Sequence, residues 1–373
     1  MELPTPSLHS LWRLRLGLGA AILLGSVICF VGTSWDIQWH SLIGRDRILI
    51  PPHLLMLGSV ALGGLAAMAD VLVETLWAGR NRLVAEHTVP FAGIFRASLG
   101  GYVAGFAALD AAVAFPLDAY WHALYGIDVT IWAPFHVMIL GGMAMTALGG
   151  AYLLASAARL AAGQGAIAAA RLGWAGAAAA LAGTFNIFMF LVLNGVGDEG
   201  MLDLGVLTVD VYPLLATLLS ATILVVAVQV VPWPWTATSV AVASLVLVGL
   251  MALFVPPATV ALVQAEHLQF RQLDPGVSLV ALRWPLMPLL AAIAVDLVRR
   301  GRRSAGVLFA VCCLLASLPV ILARPLEGAA FLFVALGAAG AVASLLLGLV
   351  GALWGAWLGS RAGLALVNAE VAA

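Results

Sequence analysis

Apolar residues run along this chain in long blocks, separated by short polar stretches that hold most of the charges. About 20 apolar residues in a helix cover the hydrocarbon layer of a bilayer. The blocks divide into about ten such spans, at 16–34, 54–77, 91–115, 133–158, 172–194, 206–231, 237–262, 279–298, 304–323 and 328–358. The pattern therefore predicts an all-α polytopic transmembrane bundle, with the lipid bilayer as its surroundings. Composition agrees: 63% of the residues are hydrophobic and 9% charged, with a mean hydropathy of +1.09, far from the usual make-up of a soluble domain.

The arginines orient the bundle, because short cytoplasmic loops collect them. Arg13 and Arg15 precede the first span, Arg80 and Arg82 follow the second, Arg159 and Arg171 flank the link after the fourth, and Arg299, Arg300, Arg302 and Arg303 follow the eighth. All four clusters fall on one side. Both termini are then expected in the cytoplasm, and the links 35–53 and 117–136 at the outer face of the cell membrane. Arg45, Arg47, Arg271, Arg283 and Arg324 form a minority on the other side. The N-terminus has a basic start and an apolar run, but no A-x-A site precedes Trp35, so it reads as a retained helix and not as a cleaved signal.

Chemistry is concentrated in the two outer links. Asp36, Trp39, His40, Leu42, Gly44, Asp46, Pro51 and His53 recur about 82 residues later as Asp118, Trp121, His122, Leu124, Gly126, Asp128, Pro134 and His136, and four of the seven histidines belong to this repeat. Residues 1–160 thus read as a duplicated helical hairpin (16–77 and 91–158), and 161–373 as further transmembrane helices. Within each copy the Asp and the first His are four apart, on one face of a helical turn. The Gly permits a turn, the Pro suits the first turn of the next span, and the second His follows at once, able to point back. One carboxylate and two imidazoles then converge, a donor set that suits copper, iron or zinc. Asp46 and Asp128 fit either as outer partners holding an imidazole tautomer or as turn residues. Trp39 and Trp121 suit the aromatic belt at the headgroups. The bland alternative is a hydrogen-bonded polar cluster at the interface with no metal.

The spacings Asp36-x3-His40-x12-His53 and Asp118-x3-His122-x13-His136 resemble the two metal sites of the C subunit of the particulate methane and ammonia monooxygenases, over about residues 16–145. The family's second site usually carries Asn where this chain has Asp118, and this chain has about six additional spans. The resemblance implies a copper-binding helical membrane subunit implicated in oxidation of small, poorly reactive substrates by dioxygen. An electron donor and partner membrane subunits, or further copies of the chain, would then complete the assembly. A non-catalytic protein that passes copper to a partner oxidase, and a proton-coupled transporter using Asp110, Asp70 and Arg96, are the other readings.

Remaining polar residues refine the picture. Asp70 and Glu74 lie near the depth of Arg96, which predicts an interhelical ion pair. Asp110, eight residues before Asp118, is about 12 Å away at helical rise and reads either as a proton acceptor beneath the second site or as a packing residue. Glu266, His267 and Asp274, like Asp198, Glu199 and Asp203, read as eroded copies of the motif or as plain loop residues. Asn186 and Asn194, with Phe185, Phe188, Met189 and Phe190, mark the fifth span as a packing helix or as the wall of an apolar pocket. Cys29, Cys312 and Cys313 lack CxxC spacing and lie in apolar runs, as buried thiols do. All 17 basic residues are arginine, which excludes Schiff-base lysine chemistry, and no basic patch points to nucleic acid.

Overall fold

A computed structural model describes residues 6–44, 49–126, 131–196, 200–282, 284, 287–300 and 328–371. The long helices are α1 (Leu8–Leu42), α2 (Pro51–Ala78), α4 (Leu99–Tyr125), α5 (Pro134–Gly163), α6 (Ile167–Val196), α7 (Tyr212–Val230), α8 (Thr236–Ala265) and α11 (Gly328–Val371). Short elements link them: α3 (Arg82–Glu86), α9 (Leu279–Leu282), α10 (Met287–Arg300), and two antiparallel hairpins, β1 (Val89–Phe91) with β2 (Phe95–Ala97) and β3 (Met201–Asp203) with β4 (Thr208–Asp210). Among the described residues eight helices are long and apolar enough to cross a membrane, and the chain is an all-α helical membrane protein.

Local chemistry sets the helix ends. Ser7 and Ser98 cap α1 and α4 by accepting the N–H groups of Ser10 and Gly101, supplying acceptors that the first turn lacks. Pro51 and Pro134 occupy the first helical positions of α2 and α5, where a missing N–H leaves no bond unmade. The links after α1 and α4 turn at Gly44 (φ 63°) and Gly126 (φ 89°), a backbone region that side chains disfavour. Several spans differ from the hydropathy reading. Residues 89–97 and 201–210 form hairpins, so the third and sixth spans start later than the apolar runs do. The eighth is divided into α9 and α10, the latter only 14 residues long, and the ninth, 304–323, lies outside the described residues. α11 contains a break at Gly337 (φ 66°), and its membrane-length part is Leu336–Val367.

The centre of the bundle is α5 and α6, in whose most apolar windows 72% and 83% of residues are buried, against half or less in the other six spans. Small residues bring the helices together. A Cβ added at Gly149 would lie 2.4 Å from the Ala104 amide N, and one at Gly100 would lie 2.5 Å from the Leu153 amide N, so α4 and α5 touch backbone to backbone. On the far side, Gly351, Gly355 and Gly359 of α11 each rest on a carbonyl oxygen of α7, from Leu214, Leu218 and Thr222. These glycines at four-residue spacing, together with Gly340 on the Thr208 carbonyl of β4, carry the close packing of the last helix. Asn186 hydrogen-bonds Ser244 of α8 through its amide oxygen and nitrogen, and Phe185, Met189 and Phe190 are buried beside it, so this stretch of α6 is a packing face.

Candidate metal centres

The ends of α1 and α4 and the starts of α2 and α5 meet at one end of the bundle. There the structure brings together Asp36, His40 and His53, and likewise Asp118, His122 and His136, each as a set whose ligand atoms all lie within 4.8 Å of one another. Asp36 Oδ1 is 3.8 Å from His40 Nε2 and 3.0 Å from His53 Nε2. In the second set Asp118 Oδ2 is 3.4 Å from His122 Nε2, and Asp118 Oδ1 is 3.2 Å from His136 Nε2. These side chains are between 15% and 21% exposed, reachable from the bundle end yet held by their neighbours.

The convergence leaves one aspartate oxygen of each set without an aligned partner. Asp36 Oδ1 and Asp118 Oδ1 are buried and accept no well-aligned hydrogen bond among the described residues, although an imidazole nitrogen stands close to each. Buried acceptors left this way are costly. A cluster built only for hydrogen bonding would turn its rings to fill them, whereas three donors aimed at a common point fit a cation. Each set can therefore hold a metal ion.

In the second set the tautomer is fixed. His122 Nδ1 lies 3.0 Å from the carbonyl oxygen of Gly126. A carbonyl carries no proton, so Nδ1–H donates and the Nε2 lone pair remains for a ligand bond. His122 Nε2 and His136 Nε2 are 3.3 Å apart, the approach of two nitrogens facing one centre. Sequence reading took Gly126 only as a turn former, and its carbonyl emerges as an outer partner of the site. Nothing in the sequence signals that role, since every residue carries a backbone carbonyl.

Other expected residues are placed as follows. Asp46 and Asp128 lie outside the described residues. Asp110 sits on the exposed side of α4, and no hydrogen bond or ion pair joins it to the second set, to Asp70 or to Arg96 among the described residues. Trp39 is not a belt residue: it is 1% exposed and packs with Leu42, Ile43, Ile50 and Val263. Trp121 lies tilted against Tyr125, with ring centroids 4.4 Å apart. The segment after α8 folds over the end of α1. Arg271 N–H donates to the Leu42 carbonyl at 2.8 Å, its guanidinium fills the space a Cβ on Gly44 would need, and Gln38 holds the same segment through Val277 O and Leu279 N–H. Glu266, His267 and Asp274 form no third donor set among the described residues. Asp203 and Asp274 instead cap their own turns at Gly205 and Gly276. Cys29 is a buried free thiol 3.0 Å from Met143 Sδ, and Cys312 and Cys313 lie outside the described residues.

The expected pairing of Asp70 and Glu74 with Arg96 is corrected. Glu74 is bound by Arg15 of α1, with Nε to Oε1 at 2.6 Å and Nη2 to Oε2 at 2.8 Å. Arg96 donates to Thr88 Oγ1 and the Ala85 carbonyl. No protein-family model, curated protein or solved structure matches this chain.

Proposed function

We propose that this membrane protein binds copper at Asp36/His40/His53 and at Asp118/His122/His136, near the outer face of the cell membrane with both termini in the cytoplasm, and oxidises a small apolar substrate with dioxygen. The observation that carries the reading is the pair of buried aspartate oxygens left without aligned hydrogen bonds inside two convergent Asp/His/His sets. The resemblance of both spacings, in order, to the two sites of the monooxygenase C subunit supports copper over zinc or iron, and imidazole-rich sites suit copper.

In this reading the chain's own residues do three things. The carboxylates supply negative charge, the Gly126 carbonyl holds His122 with its lone pair facing inward, and the helix ends keep the donors partly shielded from water. Bound copper would supply the redox chemistry toward dioxygen, with electrons from a separate donor. The partial exposure of all six side chains at the bundle end favours a second reading, a copper-passing protein that loads a partner oxidase, because exchange needs a reachable ion.

The test is dioxygen uptake by the copper-loaded protein in lipid nanodiscs, given a chemical reductant and a short-chain hydrocarbon. The oxidase reading expects substrate-dependent uptake that is lost in His40→Ala or His122→Ala. Copper transfer to an acceptor protein with no substrate-dependent uptake would establish the copper-passing reading in its place.

A further inference from the structure

At the opposite end of the bundle from the metal donors lies a second polar cluster, wholly inside the protein. Arg15, Asp70 and Glu74 are each 0% exposed. Both oxygens of Glu74 are taken by the Arg15 guanidinium, which also donates to Ser156 Oγ and to the carbonyl oxygen of His87. Asp70, one helical turn before Glu74, receives one hydrogen bond at Oδ2, from Ser98 Oγ at 2.8 Å. Its Oδ1 is buried with no aligned partner, beside the Glu74 carboxyl. Position 101 is glycine, and a Cβ there would lie 2.0 Å from Asp70 Oδ2, so α4 leaves room for this carboxyl and no more.

Charge counting decides the state of the cluster. The charged and titratable groups around the cluster are Glu74 on the same helix as Asp70, Arg15 from α1, the phenol of Tyr102 from α4, and, next to Tyr102 from the link between α2 and α4, Arg96, while the His87 carbonyl of that link binds Arg15. The Tyr102 hydroxyl is turned to the Val89 carbonyl and Arg96 to Thr88 and Ala85. Two carboxyl groups therefore stand beside one guanidinium, whose hydrogen bonds go to Glu74, Ser156 and the His87 carbonyl. An ionised Asp70 would be a buried charge next to a like charge, offset only in part by Arg15, and buried carboxylate pairs of this kind do not both ionise. A proton on Oδ1 removes the excess charge and gives the orphaned oxygen a hydrogen to donate toward Glu74.

We infer that the Arg15–Glu74–Asp70 cluster is a membrane-embedded proton-binding site, in which Asp70 Oδ1 holds one proton. The site stands on its own geometry and is independent of any metal at the other end.

Infrared difference spectroscopy of the full chain in nanodiscs, at neutral pH in H2O and D2O, tests it. The expected result is a carboxylic-acid carbonyl band in the wild type that shifts on deuteration and on 13C-aspartate labelling but not on 13C-glutamate labelling. The band is lost in Asp70→Asn and also in Glu74→Gln, where the single remaining carboxyl pairs with Arg15 as a carboxylate. Ser98→Ala, which keeps the carboxyl, moves the band to higher frequency by removing the hydrogen bond to Oδ2, so assignment does not depend on Asp70→Asn folding. Absence of any such band in the wild type, or a band that Asp70→Asn and Ser98→Ala both leave unchanged, overturns the inference.

Discussion

Gly141 and Gly142 are neighbours in α5, yet their replacement by alanine is expected to have opposite outcomes. A Cβ at 142 would lie 2.7 Å from the Ala107 carbonyl oxygen and 2.9 Å from the Ala111 Cβ and amide N, where ordinary contact begins near 3.4 Å. The difference, 3.4 − 2.7, means α4 and α5 must part by up to about 0.7 Å at this level. A Cβ at 141 meets nothing within 4 Å. His136 lies six residues before position 142, about 9 Å along the helix axis, and its two partners sit on α4, so the strain is passed to the second donor set. Metal–ligand distances tolerate only about 0.2 Å. Gly142→Ala is therefore expected to weaken metal binding at Asp118/His122/His136 and spare Asp36/His40/His53, together with an overpacking cost of about 1–3 kcal/mol. Competition with a chromophoric copper chelator, run beside thermal unfolding in detergent, reads both effects. Equal behaviour of Gly141→Ala and Gly142→Ala, or loss at the first set instead of the second, would refute the reasoning.

Two other substitutions probe the remaining contacts. Arg15→Met leaves Glu74 without its buried guanidinium and is expected to cost about 3–5 kcal/mol, against about 1 kcal/mol for Arg96→Gln, which loses only hydrogen bonds to neutral groups; thermal unfolding in detergent separates the two. Gly126→Ala forces a side chain onto a backbone at φ 89° and displaces the carbonyl that orients His122. It is expected to lower copper affinity of the second set about 10–100-fold in the same chelator assay while the first set is unchanged.

Both donor sets were legible in the sequence because their geometry is local. Asp36 with His40, and Asp118 with His122, share a helical face by their spacing alone, and a glycine followed by a proline-started helix returns His53 and His136 to that face. The Arg15–Glu74 pair was not legible, since an arginine at the start of α1 is 59 residues from its partner and hydropathy gives no helix neighbours. The place of Arg15 before the first span suggests an inner-surface charge, whereas the residue is buried. Trp39 was misplaced for a related reason: an aromatic at a helix end suits lipid headgroups or a core, and here Val263 of α8 covers it. The hairpins at 89–97 and 201–210 were absorbed into apolar runs because hydropathy does not distinguish a short strand pair from a helix start.

Metal content measured by mass spectrometry on detergent-purified protein, wild type beside the His40→Ala/His122→Ala double variant, tests the central claim most directly. The account predicts two copper ions per wild-type chain and their loss from a variant that remains folded. A wild type without stoichiometric metal, or a double variant that keeps its copper, would contradict it.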